Sequence, residues 1–443
     1  MPNYKLLLTL NEPVFCSQAP TISNELVGLQ YIPGPTLRGA FAAALVAAGR
    51  KSELAAWFAD TGPRWSPAWP AAAEQTIVPT PASFLKDKSD VYGVHGTWNA
   101  LIADPPHVSV TSESIRHQWI RVSNQWLQLG ENSLPIAAHS VKMQSSMHVG
   151  LHYGRQAHRK EALFSREEIA PGQQFVAYLT SPSDNLPKEI SLGKRRSAGN
   201  GGISVKISEL TKDPWPLNSS TGETTIQLMS DAILPDCHGR YLRGLGDADW
   251  TKLLGVPATV ESACSSNRTY IGWSGSSGLP REKVLTIAAG SVFRLKVDSA
   301  PVKALAEKGL GIRRHEGFGI IAVNPPWLAN ERYGTLKAVD AGKPPGPTPW
   351  PGFETTDTAV LKTLVQQAEN VNVDKQKASA LSHYAARVNT VAEITTHLQN
   401  LGNRPNPHGW KDANDSLTSE LNKIHDLAKA RFFLHILANK EAR

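Results

Sequence analysis

The chain contains little cysteine. Its 443 residues include Cys16, Cys237 and Cys264, which lie far apart and form no Cys-x-x-Cys pair. This spacing argues against a disulfide framework and against a four-thiolate zinc site. We therefore expect the protein to work in a reducing compartment.

The sequence also lacks long apolar runs. Leu6–Leu8 is too short for the apolar part of a secretion signal, and no small-residue cleavage site follows it. The alanine-rich stretch Phe41–Ala48 is far below the length needed to span a bilayer. The sequence thus predicts a cytoplasmic protein without a membrane partner.

Neither sign of charge dominates. The 46 Lys and Arg residues exceed the 39 Asp and Glu residues by enough to give a net charge of +7 and a pI near 9.2. This moderate excess fits a polyanionic partner, but many basic proteins bind none, so the positions of the charges must decide. The hydrophobic fraction of 41% indicates a globular chain, and its length predicts two or three domains.

The order of apolar and glycine-rich segments predicts two similar α+β modules followed by helices. In each module a strand, a helix and further strands precede a glycine-rich basic loop that leads into a last strand. This alternation is typical of antiparallel sheets covered by helices on one face. We predict the modules at 1–215 and 216–341, a Pro/Gly linker at 342–352 and a helical tail at 353–443.

The spacing of apolar side chains predicts individual elements. Tyr4–Leu10 is expected to be a strand buried on both faces. Leu37–Leu45 is expected to be a helix capped by Gly34 or Thr36. Trp57–Lys88, rich in Pro and Trp, is predicted to be a long ordered connection over the surface. Further strands are predicted at Phe175–Leu179, Ile203–Ile207, Ser291–Val297 and Ile320–Val323, and helices at Ala300–Lys308, Asp357–Ala368, Lys375–Leu398 and Ser416–Lys440.

The first glycine-rich loop, Gly193–Gly202, contains three consecutive basic residues. Glycines remove side chains that would block a phosphate and leave backbone N–H groups free to donate to it. The loop is not a Walker motif, because Arg195 follows the Gly-Lys pair where Ser or Thr is required. A phosphate-binding loop and a flexible hairpin with solvated charges both fit this segment.

The second loop, Gly309–Gly319, places two arginines before a Gly-Phe-Gly sequence. A dinucleotide-binding fingerprint would need glycine where Arg314 stands, and no long helix follows. Phe318 can stack on a base or anchor the loop in the core, and we favour the core. Glu316 is predicted to pair with Arg313 or Arg314 rather than to act as an acid catalyst.

Two further segments carry a resemblance to a known family. Tyr31–Ala40 resembles the Ile-Pro-Gly-x-x-Leu-(Arg/Lys)-Gly motif near the start of CRISPR RAMP proteins, the repeat-associated "mysterious" superfamily. Leu163–Phe175 resembles their Leu-Phe-x-x-Glu-x-(Ile/Val)-x-x-Gly-x-x-Phe segment. Both glycine loops resemble the glycine-rich loops of the same family.

Shorter matches point to one branch of that family. Met147-His148, Gly272-Trp273 and Gly278-Leu279-Pro280-Arg281 look like the large RAMP subunit of type III-D effectors, the family called Csx-ten. The resemblance runs from Met1 to about Asn324 and leaves the helical tail unmatched. One departure is Pro35, where the motif often has Ser. A hydroxyl contact at that position is therefore lost or moved to Thr36.

The resemblance implies two ferredoxin-like (βαββαβ, RRM-like) RAMP domains in an RNA-guided antiviral ribonucleoprotein complex. It implies a Cas-five-type subunit that holds the 5′ tag of the guide RNA (crRNA) and contacts other type III effector subunits. The residues that the resemblance places on the RNA backbone are Arg38, Gly193, Lys194, Arg195, Arg196, Gly199, Gly201, Arg313 and Arg314.

A histidine-rich segment gives an alternative. His148 and His152 share a face in a strand or a helix, so a metal pair is conceivable. The zincin pattern fails, because Val149 stands where glutamate is needed. The two histidines also suit the acid–base chemistry of a metal-independent endoribonuclease that processes the guide precursor. We favour a third interpretation, an RNA-facing surface. It would consist of His139, His148, His152, His158, Arg116, Arg121, Arg155 and Arg159, interleaved with Trp119, Trp126 and Tyr153.

The leading hypothesis is a non-catalytic RNA-binding module that needs no cofactor, no metal and no small-molecule substrate. The ribonuclease is the runner-up, and a purely structural scaffold is the third class. The tail has two interpretations of its own, a stabilising cap on the second module or a docking bundle. As a docking bundle it would meet a neighbouring subunit, or the RNA through Arg387, Lys429 and Arg431.

Overall fold

The computed structural model divides the chain into two compact units. The first consists of Met1–Phe84, Trp98–Asp104 and Arg121–Gly342, and the second of Leu85–Thr97, Pro105–Ile120 and Lys343–Arg443. The module and linker boundaries given above stay predictions. The structure describes residues 2–17, 25–59, 62–71, 76–88, 96–105, 119–122, 126–130, 132–151, 158–181, 183–193, 201–275, 277–334, 336, 338–339, 363–364, 366–368, 371, 373, 375–385, 388, 390–402 and 410–439.

The strands are numbered in chain order. They are β1 Asn3–Leu10, β2 Glu25–Leu26, β3 Arg64–Trp65, β4 Trp69–Ala71, β5 Thr76–Pro79, β6 Phe84–Asp87, β7 Thr97–Asn99, β8 Trp119–Arg121, β9 Trp126–Leu129, β10 Pro135–His139, β11 Met143–Leu151, β12 His158–Ile169, β13 Gln174–Thr180, β14 Glu189–Ser191, β15 Gly202–Leu210, β16 Thr224–Leu228, β17 Thr259–Cys264, β18 Asn267–Ser274, β19 Leu279–Ile287, β20 Val292–Lys296, β21 Ile321–Val323, β22 Arg332–Tyr333 and β23 Ala338–Val339.

The helices of the described residues are numbered in the same way. They are α1 Gly34–Ala47, α2 Leu54–Phe58, α3 Asp247–Leu254, α4 Ser299–Lys308, α5 Lys375–Ala385, α6 Val391–Gly402, α7 Trp410–Asn422 and α8 Leu427–Asn439. The protein is thus a mixed α+β protein with several antiparallel sheets and helices in its C-terminal part, as predicted.

The first sheet is built around β1. Its order is β14-β15-β1-β13-β3, and β4 also pairs with β13. All of these pairs are antiparallel. The prediction that β1 is buried on both faces was wrong. Tyr4 and alternate leucines are buried, whereas Lys5 and Thr9 lie on a half-buried face, since successive side chains of a strand point to opposite sides.

Helix α1 packs its apolar stripe into the core of the first unit. Leu37, Phe41 and Leu45 recur every four residues and are buried, which confirms the predicted helix. The predicted caps were wrong, because Pro33 is the N-cap residue. Pro35 lies in the first turn, where the missing N–H has no intrahelical partner to lose.

The Pro- and Trp-rich stretch after α1 is not a surface connection. Trp65 and Trp69 are each 1% exposed and belong to the main core. Trp65 packs against Phe41 of α1, and Trp69 donates from Nε1 to the Met229 carbonyl at 3.1 Å. The short strands β3 to β6 occupy this stretch, so the absence of long periodicity hid buried strands from the prediction.

The second sheet has the order β17-β20-β16-β21, with antiparallel pairs throughout. Helix α3 lies between β16 and β17 in the chain, and α4 lies between β20 and β21. The hairpin of β18 and β19 is inserted between β17 and β20. These bounds confirm the strands predicted at Ser291–Val297 and Ile320–Val323 and the helix predicted at Ala300–Lys308.

Smaller sheets complete the first unit. Strands β11 and β12 form a long antiparallel hairpin, and β2 adds to β12 in parallel. A separate sheet has the order β23-β10-β9-β5. The predicted strands Phe175–Leu179 and Ile203–Ile207 are confirmed as β13 and β15.

The C-terminal helices enclose a separate apolar core. Its most buried members include Leu381, Ile394, Leu417 and Phe433. The helices predicted at Lys375–Leu398 and Ser416–Lys440 were each wrong in one respect. Two helices, α5 and α6, divide the first segment, and α7 and α8 divide the second. The predicted Pro/Gly linker lies outside the described residues. No helix of the described residues is both long and apolar enough to cross a membrane.

Arg431 has a structural role within these helices. It is 9% exposed and donates from Nε to the Ala385 carbonyl at 2.8 Å and from Nη2 to the Val388 carbonyl at 2.6 Å. The last carbonyls of a helix have no intrahelical donor, so this guanidinium satisfies the end of α5. Arg431 thus stabilises the helices from within, and both interpretations of the tail stay predictions.

Arg431→Met should destabilise the helical unit by about 1–3 kcal/mol, because it leaves buried carbonyl oxygens without a donor. The matched control is Lys423→Met, which removes an exposed pair with Glu420 and should change stability by less than about 0.5 kcal/mol. Thermal unfolding followed by circular dichroism compares the two variants. Equal losses in both would contradict the capping role.

Candidate functional site

Two of the motifs meet in the first unit. Ile32 exchanges backbone hydrogen bonds with Ala68, at 3.0 Å and 2.8 Å, which ties the Ile-Pro-Gly segment to the chain between β3 and β4. A Cβ atom built on Gly34 would overlap the carbonyl oxygen of Glu316. Only glycine permits this approach, so the segment that starts α1 and the second glycine loop are in direct backbone contact.

The Glu316 carboxylate lies at the centre of this contact. It is 3% exposed and accepts from Arg281 Nη1 at 2.7 Å and from Arg38 Nη1 at 3.4 Å. Arg313 donates from Nε at 2.7 Å and also from Nη2. The three arginines belong to α1, to β19 and to the loop itself. The predicted pairing of Glu316 with Arg313 is confirmed, and two partners distant in sequence join it.

Arg313 is held in an unusual conformation. Its φ of 57° lies in the left-handed region, which residues with a side chain seldom adopt. Its guanidinium lies over the rings of Phe318, at 5.0 Å, and Tyr270, at 5.8 Å. Phe318 is 5% exposed and contacts Tyr270 edge to face. The prediction that Phe318 anchors the loop in the core is confirmed.

The charge state of Glu316 follows from its partners. Burial by itself raises the pKa of this carboxyl, but the hydrogen bond from Arg281 and the charge of Arg313 outweigh burial, and the pKa is lowered. Glu316 is therefore ionised at neutral pH. One carboxylate meets three guanidinium groups, so the cluster carries an excess of positive charge.

A cleft with a volume of about 190 Å³ opens beside this cluster. Its lining combines the Ile-Pro-Gly segment, the end of the second glycine loop and residues near the start of β18. The side chains that line the cleft include those of Tyr31, Pro33, Pro35, Arg121, Asp231, Arg268, Glu316 and Phe318.

Asp231 and Arg268 form a second polar group in the cleft. Arg268 Nη1 lies 3.8 Å from Asp231 Oδ2 and donates to Tyr31 Oη at 3.2 Å. Asp231 Oδ1 accepts from the Ala289 N–H at 2.8 Å, and its carbonyl accepts from the Gly319 N–H at 2.8 Å. Burial raises the pKa of Tyr31, so its hydroxyl stays protonated. No local sequence signal marks this group, because its members come from distant segments.

The base of the first glycine loop is also held by backbone contacts. Gly201 has a φ of 93°, donates its N–H to the Pro13 carbonyl at 3.0 Å and accepts from the Leu192 N–H at 2.9 Å. Gly193 has a φ of 92°. The predicted contact residues Lys194, Arg195, Arg196 and Gly199 lie outside the described residues. The loop leads into β15 as the second loop leads towards β21, which is the order the sequence predicted.

The remaining predicted residues that the structure describes belong to different elements. Arg314 donates to the Lys308 carbonyl at 3.1 Å on an exposed part of the second loop. The Nε2 atom of His148 lies 2.9 Å from Ser146 Oγ, and the imidazole ring stacks on Phe164. Burial lowers the pKa of His139. Arg159 is part of β12, whereas Arg155 and His152 lie outside the described residues, so the proposed histidine pair stays a prediction.

Within the described residues, no three His, Cys, Asp or Glu side chains come together as they would around a metal ion.

Several solved structures are similar to this chain. A chain of the type III-B Cmr-beta complex bound to cognate target RNA and AMPPnP, solved by cryo-electron microscopy, matches 69% of this chain and 89% of its own length. The identity is 11% and the TM-score 0.38. A RAMP protein that binds different RNA substrates matches 73% of this chain and 99% of its own, with 9% identity and a TM-score of 0.30.

A chain of the Csm1-Csm4 cassette in complex with pppApA matches 67% of this chain and 88% of its own, with 15% identity and a TM-score of 0.30. No protein-family model and no curated protein matches the sequence. The chain is thus similar in structure, at low identity, to chains of these complexes and to a RAMP protein.

Gly34→Ala should destabilise the first unit by about 1–3 kcal/mol, because the new methyl group would overlap the Glu316 carbonyl. Gly39→Ala in the same helix is the matched control, since a Cβ there meets nothing within 4 Å. Alanine favours a helix over glycine, so this control should gain up to about 1 kcal/mol. Urea unfolding measures both. A tolerated Gly34→Ala would contradict the close backbone contact.

The ion cluster should also make stability depend on pH. The pKa of Glu316 is lowered below its ordinary value of 4.5, so its contribution is complete above pH 4.5 and is lost as pH falls below that value. Glu316→Gln lacks this contribution at every pH. The gap in melting temperature between wild type and variant should therefore narrow between pH 5 and pH 3. A difference in melting temperature that stays constant from pH 5 to pH 3 would contradict a stabilising role for the ion pairs of Glu316.

Proposed function

We propose that this protein is a non-catalytic RNA-binding subunit of a type III CRISPR effector complex, which holds the 5′ tag of the guide RNA and helps to assemble the complex. The motif resemblance supports this assignment for the stretch from Met1 to about Asn324. The tail beyond it is then free to meet a neighbouring effector subunit.

The order of the strands supports two ferredoxin-like RAMP domains. In the second sheet the order β21-β16-β20-β17 places the four strands of a βαββαβ unit in the sequence 4-1-3-2, with α3 and α4 as its two helices. In the first sheet β15-β1-β13-β3 gives the same order, with α1 after the first strand. In each of the two sheets, a glycine loop precedes the strand that comes last in the βαββαβ order, β15 in the first and β21 in the second.

The observation that carries the RNA-binding proposal is the excess of positive charge in the Glu316 cluster beside the cleft. The charged residues that line the cleft are balanced, with two guanidiniums and two carboxylates. The three arginines that bind Glu316 raise the ratio of guanidiniums to carboxylates in the cleft and cluster together to five to two. The guanidiniums are those of Arg38, Arg121, Arg268, Arg281 and Arg313, and the carboxylates those of Asp231 and Glu316. Arginine at this density suits phosphate, which its planar fork can bind through two donors.

RNA binding by the purified protein should weaken as salt rises, because each neutralised phosphate releases counterions. Arg121 is exposed and donates to the Ser265 carbonyl at 3.2 Å, so it can be changed without opening the core. Arg121→Gln should weaken binding severalfold and reduce the salt slope by about 0.7, the loss of one phosphate contact on a single strand. Fluorescence anisotropy with a labelled repeat-derived RNA measures both quantities.

The controls separate the alternatives. Arg240→Gln removes an arginine that is 77% exposed and paired with Asp236 outside the cleft, and it should bind like wild type. Arg195→Ala with Arg196→Ala tests the first loop and should also weaken binding.

An RNA without the repeat-derived 5′ end should bind less tightly, and equal affinity would contradict the tag-holding role. Cleavage of repeat RNA in EDTA would instead support the ribonuclease.

A further inference from the structure

Glu316 carries a negative charge among three positively charged arginines. A buried carboxylate beside a cleft for a polyanion should oppose binding through its charge. Yet it has three guanidinium partners from three elements, and its backbone is fixed against Gly34. A side chain held so firmly, where its charge is unfavourable for RNA, calls for a role that acts through its partners.

Among those partners, Arg281 is the most accessible. Its side chain is 37% exposed, against 16% for Arg38 and 17% for Arg313. The contact with Glu316 engages Nη1 of Arg281, and a guanidinium carries five N–H donors in a fixed plane. The Cδ atom of Arg281 also lies 3.2 Å from the position that a Cβ on Gly272 would take, so β18 supports the stem of this side chain.

These contacts hold one edge of the Arg281 guanidinium and leave part of the group accessible. A long side chain that is free in solution loses conformational entropy when it binds, whereas one already fixed loses less. A fixed planar fork also meets a phosphate through two parallel hydrogen bonds, which a mobile point charge does not.

We propose that Glu316 is a positioning residue, which holds Arg281 in the orientation that binds an RNA phosphate. The proposal rests on the proposed RNA-binding function and deepens it. Glu316 itself touches no phosphate. Its negative charge offsets one of the three neighbouring positive charges, and the fixed geometry of Arg281 more than compensates for that loss.

This role and charge alone predict opposite effects of Glu316→Gln on RNA affinity. If only net charge mattered, Glu316→Gln would bind RNA more tightly, because it removes a negative charge beside the cleft. If Glu316 positions Arg281, the variant binds roughly three- to tenfold more weakly, with a smaller salt slope, as after the loss of one phosphate contact.

The experiment is a double-mutant cycle with Glu316→Gln, Arg281→Gln and the double variant, measured by RNA anisotropy over a range of salt concentrations. Both single variants should lose affinity and salt slope to a similar extent, and the double variant should lose no more than Arg281→Gln alone. Glu282→Gln is the control for charge, since Glu282 is the exposed neighbour of Arg281 in β19. It should bind as tightly as wild type or slightly more so.

Equal or tighter binding by Glu316→Gln, or losses that add in the double variant, would overturn the positioning role. Should Glu316→Gln fail to fold by circular dichroism, Arg281→Lys decides, because lysine keeps the charge but not the planar fork. Weaker binding by Arg281→Lys supports the proposal, and wild-type affinity overturns it. Absence of salt-dependent binding by the wild-type protein would instead reject the proposed function.

Discussion

The ion cluster at Glu316 is the interaction on which the site depends. One buried carboxylate is bound by arginines of α1, of the β18–β19 hairpin and of the second glycine loop, and its backbone carbonyl abuts Gly34. Removing a single partner from such a cluster leaves buried charge uncompensated, which costs far more than the loss of an exposed pair. The cluster therefore fixes the relative positions of three elements and, with them, one side of the cleft.

The same cluster explains how an acidic residue fits into a cationic surface. The three arginines would repel one another at close range, and a carboxylate between them lowers that cost while leaving a positive excess. Asp231 acts similarly on Arg268, with Tyr31 as a neutral third partner. In each case a buried acid pairs with one or more guanidiniums, and of these Arg268 lines the cleft.

The sequence predicted what depends on local spacing and missed what depends on distant contacts. The alternation in β20, the stripe of α1 and the Phe318 anchor were visible, because each is set by neighbours within a few residues. Arg281 was visible only as part of a short motif, since its partner lies beyond the end of its hairpin. Trp65 and Trp69 were placed on the surface, because short strands interrupted by prolines carry no periodic signal.

The capping of α5 by Arg431 has a consequence for the order of folding during synthesis. The guanidinium comes from a residue 46 positions after the Ala385 carbonyl that it binds. While the ribosome is still translating the segment between them, α5 has an unsatisfied end and the apolar faces of α5 and α6 lack the later helices. This unit thus completes its fold only after α8 has emerged, well after the sheets of the first unit have been made. A chain whose synthesis ends before α8 would leave the apolar faces of α5 and α6 exposed to solvent, where they can associate with other apolar surfaces.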